Sequence, residues 1–279
     1  MFKEDLLKGK SILVTGGGSG LGLAMSHELA RYGADLWIAG RRQAKLDEAR
    51  GELEQHGGSV ETCSCDIRDP ESVEEMLSKI WEKKPLNAVL NNAAGNFAAP
   101  SESLSHRAIN AVLGTVLQGT TYVTLGCGKR WLQAKQPGNV LSIVTTYASS
   151  GSGWVLPSAM GKAGVLAMTR SLAVEWGGRG IRLNAIAPGP FPTPGATERL
   201  MPDPRLAEMM KQQNPQKRFG DPKELGNLAV YMLADGSSYM NGEVVTIDAG
   251  EWLQGAGQFN FLRHVPQEDW AKLAAARKK

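Results

Sequence analysis

Three cysteines and four histidines in 279 residues leave little room for a disulfide framework or a metal centre. Cys63, Cys65 and Cys127 are odd in number, and the first two alternate in a strand-like run where they share one face. They read as reduced packing residues of a cytosolic protein. His27, His56, His106 and His264 are scattered without ligand spacing, so no metal is expected. Charge of one sign is also missing: 31 basic and 28 acidic side chains leave a formal +3, which makes no case for nucleic-acid binding but suits small anionic ligands. The basic ending Arg277-Lys278-Lys279 reads as a solvated terminus. No apolar stretch approaches the roughly 20 residues of a membrane helix. Glu4 and Asp5 stand where a secretory leader would place cationic and then apolar residues, so a soluble, cytoplasmic protein is expected.

What the chain does have is 42% hydrophobic residues and 33 dispersed glycines, enough for one large α/β domain over 1–279. Short apolar, β-branched runs at 11–15, 34–39, 60–65, 88–90, 140–145, 181–186 and 244–247 predict seven strands. Helical periodicity lies between them at 21–32, 43–55, 70–83 and 158–176. That alternation predicts right-handed crossovers and a doubly wound Rossmann fold, a seven-stranded parallel sheet flanked by helices. Two segments break the rhythm. The proline-rich stretch at about 188–220 reads as a substrate loop, and about 250–279 reads as a C-terminal extension, with Trp252, Phe259 and Phe261, that wraps a neighbouring surface or subunit.

Strand one ends in Thr15-Gly16-Gly17-Gly18-Ser19-Gly20-Leu21-Gly22 and leads straight into a helix. A chain that must turn tightly and bring backbone N–H groups to a pyrophosphate at a helix N-terminus needs glycine there. Strand two ends in Gly40-Arg41-Arg42, where an NAD enzyme would offer a carboxylate to the ribose hydroxyls. Two guanidinium groups can instead clamp a 2′-phosphate, which favours NADPH over NADH. Asp66, at the end of strand three, is placed either to accept from the adenine amino group or to cap the next helix.

These residues, with Asn91-Asn92-Ala93-Ala94-Gly95, Lys162 in a helix after strand five and Pro188-Gly189 after strand six, resemble the short-chain dehydrogenase/reductase superfamily across nearly the whole chain. The resemblance implies that Asn92, Ala93 and Gly95 shape the adenine-ribose wall, that Lys162 holds the nicotinamide ribose, and that Pro188 and Gly189 flank the carboxamide. It also implies a homotetramer.

One absence then matters more than the others. Most members of that superfamily carry a catalytic tyrosine one helical turn before the lysine, with a serine on strand five and an asparagine completing a proton relay. Here Ser158 stands at the tyrosine position, Thr145 at the serine position and Gln118 at the asparagine position. A serine hydroxyl is too weak an acid to replace a phenol.

Tyr147 lies eleven residues before Ser158, and Asn96 directly follows the Asn-Asn-Ala-Ala-Gly stretch. This departure resembles the NADPH-dependent 2,4-dienoyl-CoA reductases of auxiliary fatty-acid oxidation. The similarity extends to Gly95-Asn96-Phe97, Asp66-Ile67-Arg68-Asp69-Pro70, Pro188-Gly189-Pro190 and a tail with Phe259-Asn260 and Trp270. By that resemblance Tyr147, Asn96, Ser158 and Lys162 form the catalytic set. Arg41, Arg68, Phe97, Ser105 and Arg199 become contacts for an acyl-CoA substrate, the arginines suiting the CoA phosphates.

The chemistry is consistent with a displaced donor. In a dienoyl thioester the hydride acceptor is the δ carbon, and the oxygen that gains charge is conjugated to it from the far end of the diene, so hydrogen-bond donors must move outward along the substrate. The expected reaction places hydride on the δ carbon, holds a dienolate with Tyr147 and Asn96, and protonates the α carbon to give a 3-enoyl thioester. The proton comes from Tyr147 or from water. Two rivals stand beside this reading: a reductase of the same superfamily with another enoyl or keto substrate, and a module that binds NADPH without chemistry.

Overall fold

A computed structural model describes residues 2–193 and 203–276; Arg199 and the ending Arg277-Lys278-Lys279 lie outside the described residues. All seven expected strands form: β1 Ser11–Thr15, β2 Asp35–Gly40, β3 Val60–Ser64, β4 Ala88–Asn91, β5 Gly138–Ile143, β6 Ile181–Pro188 and β7 Val244–Ile247. They build one parallel sheet in the order β3-β2-β1-β4-β5-β6-β7. The central strands β1, β4 and β5 are buried in every position because helices cover both faces. On β1, Ile12 and Val14 enter one core with Leu29, Leu46 and Leu225, while Leu13 enters the other with Leu77, Val123 and Trp131. Each such side chain, fully withdrawn from water, contributes about 1.5–3 kcal/mol.

The helices that position the site are α1 Gly20–Arg31, α2 Gln43–Leu53, α3 Pro70–Lys83, α4 His106–Leu113, α5 Thr120–Ala134 and α6 Leu156–Gly177. α3 shows why its sequence folds as it does. Pro70 opens the first turn, the Asp69 side chain accepts from the Glu71 N–H at 3.0 Å, and Val73, Met76, Leu77 and Ile80 form a buried stripe. The cap is therefore Asp69, and the capping role considered for Asp66 is not taken up. Helices α4 and α5 run on through a π-helical turn at Gly114–Gly119, a stretch that periodicity did not single out. Its glycines and β-branched residues have poor helix propensity, and the burial of Val112, Val116, Val123 and Cys127 decides instead.

The 188–220 segment is not irregular throughout, since it holds the helix Pro204–Gln213 capped by Asp203. After β7 come a short helix Glu251–Ala256, a 3₁₀ turn Asn260–His264 and a helix Asp269–Ala276. The three cysteines are buried and unpaired, and burial pushes the Cys127 thiol up to about 12. Among the described residues no helix is long and apolar enough to cross a membrane, and no three His, Cys, Asp or Glu side chains gather where they could hold a metal ion.

Candidate active site

The strand order reverses between β1 and β4, and a ligand crevice opens there, at the carboxyl ends of the strands. Thr15 stitches it shut below: its Oγ1 accepts from the Asn92 and Ala93 N–H groups at 3.1 Å each, while Asn92 Nδ2 donates to the Thr15 carbonyl at 3.1 Å. Gly16 sits at φ +69°, and a Cβ on Gly22 would overlap the Gly16 carbonyl oxygen and Asn92 Nδ2. Only glycine fits both places. The first turn of α1 keeps its N–H groups free, because the Ser19 side chain makes no capping bond.

The resulting cleft is lined by Gly16, Gly18, Ser19, Leu21, Arg41, Arg42, Asp66, Asn92 and Ala93, all expected from the sequence. It is also lined by Lys45, Thr115 and Thr193, which were not. Thr193 carried no motif; its position follows from the chain leaving β6 and passing beside Gly20. Gly20 opens α1 beside this cleft, Gly95 lies in the loop after β4, and Pro188 ends β6, after which the Gly189 N–H donates to the Ile247 carbonyl at 3.0 Å. These residues fit a dinucleotide. A helix N-terminus and a glycine cradle meet a pyrophosphate, and the exposed Arg41 and Arg42 with Lys45 supply positive charge at the adenosine end.

Asp66 is engaged at that end. Its carboxylate accepts from Arg68 Nε at 2.9 and 3.0 Å and from the Arg68 backbone N–H at 3.1 Å. The Arg68 guanidinium beside it holds the Asp66 carboxyl below the usual range, and Arg41 adds to the effect. Arg68 thus lies at the adenosine side of the cleft, tied to a carboxylate.

The catalytic candidates come from three elements. The loop after β4 carries Asn96, the 3₁₀ turn Thr146–Ala148 after β5 carries Tyr147, and the first turns of α6 carry Ser158 and Lys162 on one face. Tyr147 Oη lies 3.3 Å from Ser158 Oγ, and Asn96 Nδ2 donates to Tyr147 Oη at 3.5 Å. The Phe97 N–H donates to Asn96 Oδ1 at 2.9 Å, which fixes the amide so that its NH₂ faces the phenol. Ser158 is 3% and Lys162 6% exposed. Lys162 Nζ donates to the Ile143 carbonyl, and burial lowers its pKa to about 8.

Around this cluster the structure sorts the other candidates. Phe97 is half-buried beside Asn96. The Ser105 hydroxyl caps α4, accepting from the Ala108 N–H at 3.2 Å. Gln118 is exposed in the π turn, near Arg68 and Gly114. Thr145 Oγ1 is buried without a hydrogen-bond partner. The sequence did not single out the bond from the Trp252 indole N–H to Ser150 Oγ at 3.4 Å, which pins the C-terminal segment to the Tyr147 loop.

A phenol, an amide and a hydroxyl pointing at one another, with a buried ammonium one turn away, can stabilise an oxygen that gains negative charge. A family model described as enoyl-(acyl carrier protein) reductase matches residues 16–251. The chain is 42% identical over 280 residues to a probable 2,4-dienoyl-CoA reductase of Caenorhabditis elegans named as producing the (3E)-enoyl-CoA, covering 98% of this chain and 91% of that one. It is 38% identical to a probable 2,4-dienoyl-CoA reductase of Bacillus subtilis named as producing the (2E)-enoyl-CoA, covering 88% of this chain and 97% of that one. A crystal structure of a short chain dehydrogenase from Bacillus anthracis superposes with a TM-score of 0.81 at 40% identity, over 90% of this chain and 98% of that one. Sheet order, glycine cradle and matched relatives together make this chain a member of the short-chain dehydrogenase/reductase family, an oxidoreductase.

Proposed function

We propose that the protein reduces 2,4-dienoyl-CoA esters with NADPH, giving a 3-enoyl-CoA. The observation that carries this reading is the cluster of Asn96, Tyr147 and Ser158, joined by contacts of 3.5 and 3.3 Å on three separate elements. Ser158 is buried with its Oγ 3.3 Å from Tyr147 Oη, and when the serine is the donor of that pair the phenol proton is left for a substrate oxygen. Asn96, oriented by the Phe97 N–H, supplies the second donor. Together they form an oxyanion hole for the thioester oxygen of a dienolate. Lys162 orients the nicotinamide ribose from the next turn of α6. Arg41 and Arg42 select the 2′-phosphate.

When bound, NADPH supplies the hydride that reaches the δ carbon. The electron pair moves through the diene to the thioester oxygen, which Tyr147 and Asn96 hold. Return of a proton to the α carbon completes a two-electron reduction and leaves the double bond between the β and γ carbons. Protonation at the γ carbon would give the 2-enoyl ester instead. The donors stand at the thioester oxygen, next to the α carbon, which favours the first outcome. A substrate loop within 188–220 and a homotetramer complete the reading; exposed Val174 and Met160 on α6 offer apolar surface for assembly.

The test is NADPH oxidation with a short trans-2,trans-4-dienoyl-CoA, followed by location of the product double bond. Turnover to a 3-enoyl ester that falls about 10²–10³-fold in Tyr147→Phe is the expected result, the size of losing one oxyanion donor. NADPH binding without turnover of this substrate would overturn the assignment.

A further inference from the structure

The two loops that carry Asn96 and Tyr147 meet at a second place, away from those side chains. The Ala99 N–H, three residues past Asn96, donates to the Trp154 carbonyl at 2.9 Å. Trp154 lies between Tyr147 and Ser158, on the stretch that joins the 3₁₀ turn after β5 to α6. Among the described residues this is the only hydrogen bond that a backbone group of 94–99 makes to another element. Asn96 therefore sits on a segment tied at Ala93 to Thr15 and at Ala99 to Trp154.

Trp154 presents that carbonyl from a backbone conformation its residue type resists. Its φ is +63°, in the left-handed region where Cβ crowds a carbonyl oxygen, and it is the one aromatic residue found there among the described residues. Its indole is 69% exposed, so packing of the side chain does not offset the strain. Glycines stand on the same loop at 151 and 153. Gly151 takes φ +75°, while Gly153, beside Trp154, has no positive φ. Local preference alone would put the left-handed turn on Gly153. The contact that calls for it on Trp154 is the Ala99 bond, because rotating this residue out of the left-handed region would re-aim its carbonyl.

We propose that Trp154 is a positioning residue: through its backbone carbonyl it holds the Ala99 end of the Asn96 loop, and so sets the Asn96 amide against the Tyr147 phenol. The direct Asn96 to Tyr147 contact, at 3.5 Å, is too long to hold two loops in register unaided. A strained residue that the surrounding structure keeps in place is the means by which two donors on separate loops can be aimed at one oxygen before the substrate arrives. The inference rests on the dienoyl-CoA reading, in which both donors act on the thioester oxygen.

The experiment separates backbone from side chain. Valine is apolar but β-branched and resists the left-handed region; glycine enters it freely and has no side chain to pack. With NADPH and a dienoyl-CoA ester, kcat should fall about tenfold in Trp154→Val, the size of one lost hydrogen bond, and be largely restored in Trp154→Gly. KM should change less than kcat, since the pair acts in the transition state. Ala99→Pro, which deletes the N–H, should match Trp154→Val. Hydrogen exchange of the peptide containing Ala99 reads the bond without any substrate: protection should drop in Trp154→Val and persist in Trp154→Gly. A kcat higher in Trp154→Val than in Trp154→Gly would assign the role to the side chain and overturn the proposal, as would equal kcat in all forms, while the reductase reading stands. A wild-type enzyme that reduces no dienoyl ester overturns the reductase reading, and the positioning role with it.

Discussion

Tyr147 Oη and Ser158 Oγ lie 3.3 Å apart although eleven residues separate them, because the 3₁₀ turn after β5 and the first turn of α6 fold back on each other. In the proposed reading this serine supports Tyr147 as the substrate's hydrogen-bond donor. Ser158 is therefore a positioning residue, and its loss should be milder than the loss of Tyr147. Ser158→Ala is expected to lower kcat about tenfold, the upper range of one neutral hydrogen bond. Steady-state kinetics beside Tyr147→Phe checks the order; equal losses in the two variants would place Ser158 at the substrate itself.

Lys162 gives the fold a pH dependence with a definite sign. Burial lowers its folded-state pKa to about 8, below the unfolded lysine value of about 10.4. Between these values the unfolded chain binds a proton that the folded chain has released, so the Lys162 contribution to stability rises with pH across that window and is flat below it. Relative to Lys162→Met, the wild type without cofactor should gain about 3 kcal/mol from pH 8 to pH 10.5, an upper figure for so buried a group. Urea titrations of both proteins at several pH values measure this, and parallel curves would contradict it.

Cofactor choice should reside in Arg41 and Arg42, which are exposed at the rim of the cleft and reach nothing in the core. Replacing both with alanine is expected to weaken NADPH binding about tenfold or more while leaving NADH binding nearly constant, since only the 2′-phosphate loses partners. Fluorescence titration with each nucleotide decides it. A loss shared equally by both nucleotides would assign the arginines to the pyrophosphate or to structure.

Asp66 and Asp69 are three residues apart and should respond differently to substitution. Asp69→Ala removes the α3 cap and should cost about 1 kcal/mol of stability without changing NADPH affinity. Asp66→Ala frees Arg68 and strips the adenosine end of its carboxylate, so it should alter NADPH affinity. Thermal melts and nucleotide titrations on the same two variants separate the roles.

Much of this protein follows from local sequence. Buried parallel strands take mostly apolar residues on both faces, so the seven short apolar runs identify themselves, and their alternation with helical periods leaves few topologies. Arg41-Arg42 and the glycines of 16–22 are legible because one backbone geometry and one charge pattern account for them. The helical stretch from α4 through the π turn into α5 was not legible, since its glycines and β-branched residues become helical only when packed against α3 and α6. Periodicity could not reveal the Asp66 to Arg68 pair, the Asp69 cap or the Trp252 to Ser150 bond, which depend on where side chains end up. The sequence by itself determined the sheet, the cradle and the place of Ser158 one turn before Lys162, because these depend on residue type at short range. Only the tertiary structure brought Asn96, Tyr147 and Ser158 together and tied Ala99 to Trp154 beside them, because contacts between separate elements arise when the sheet has aligned the ends of its strands.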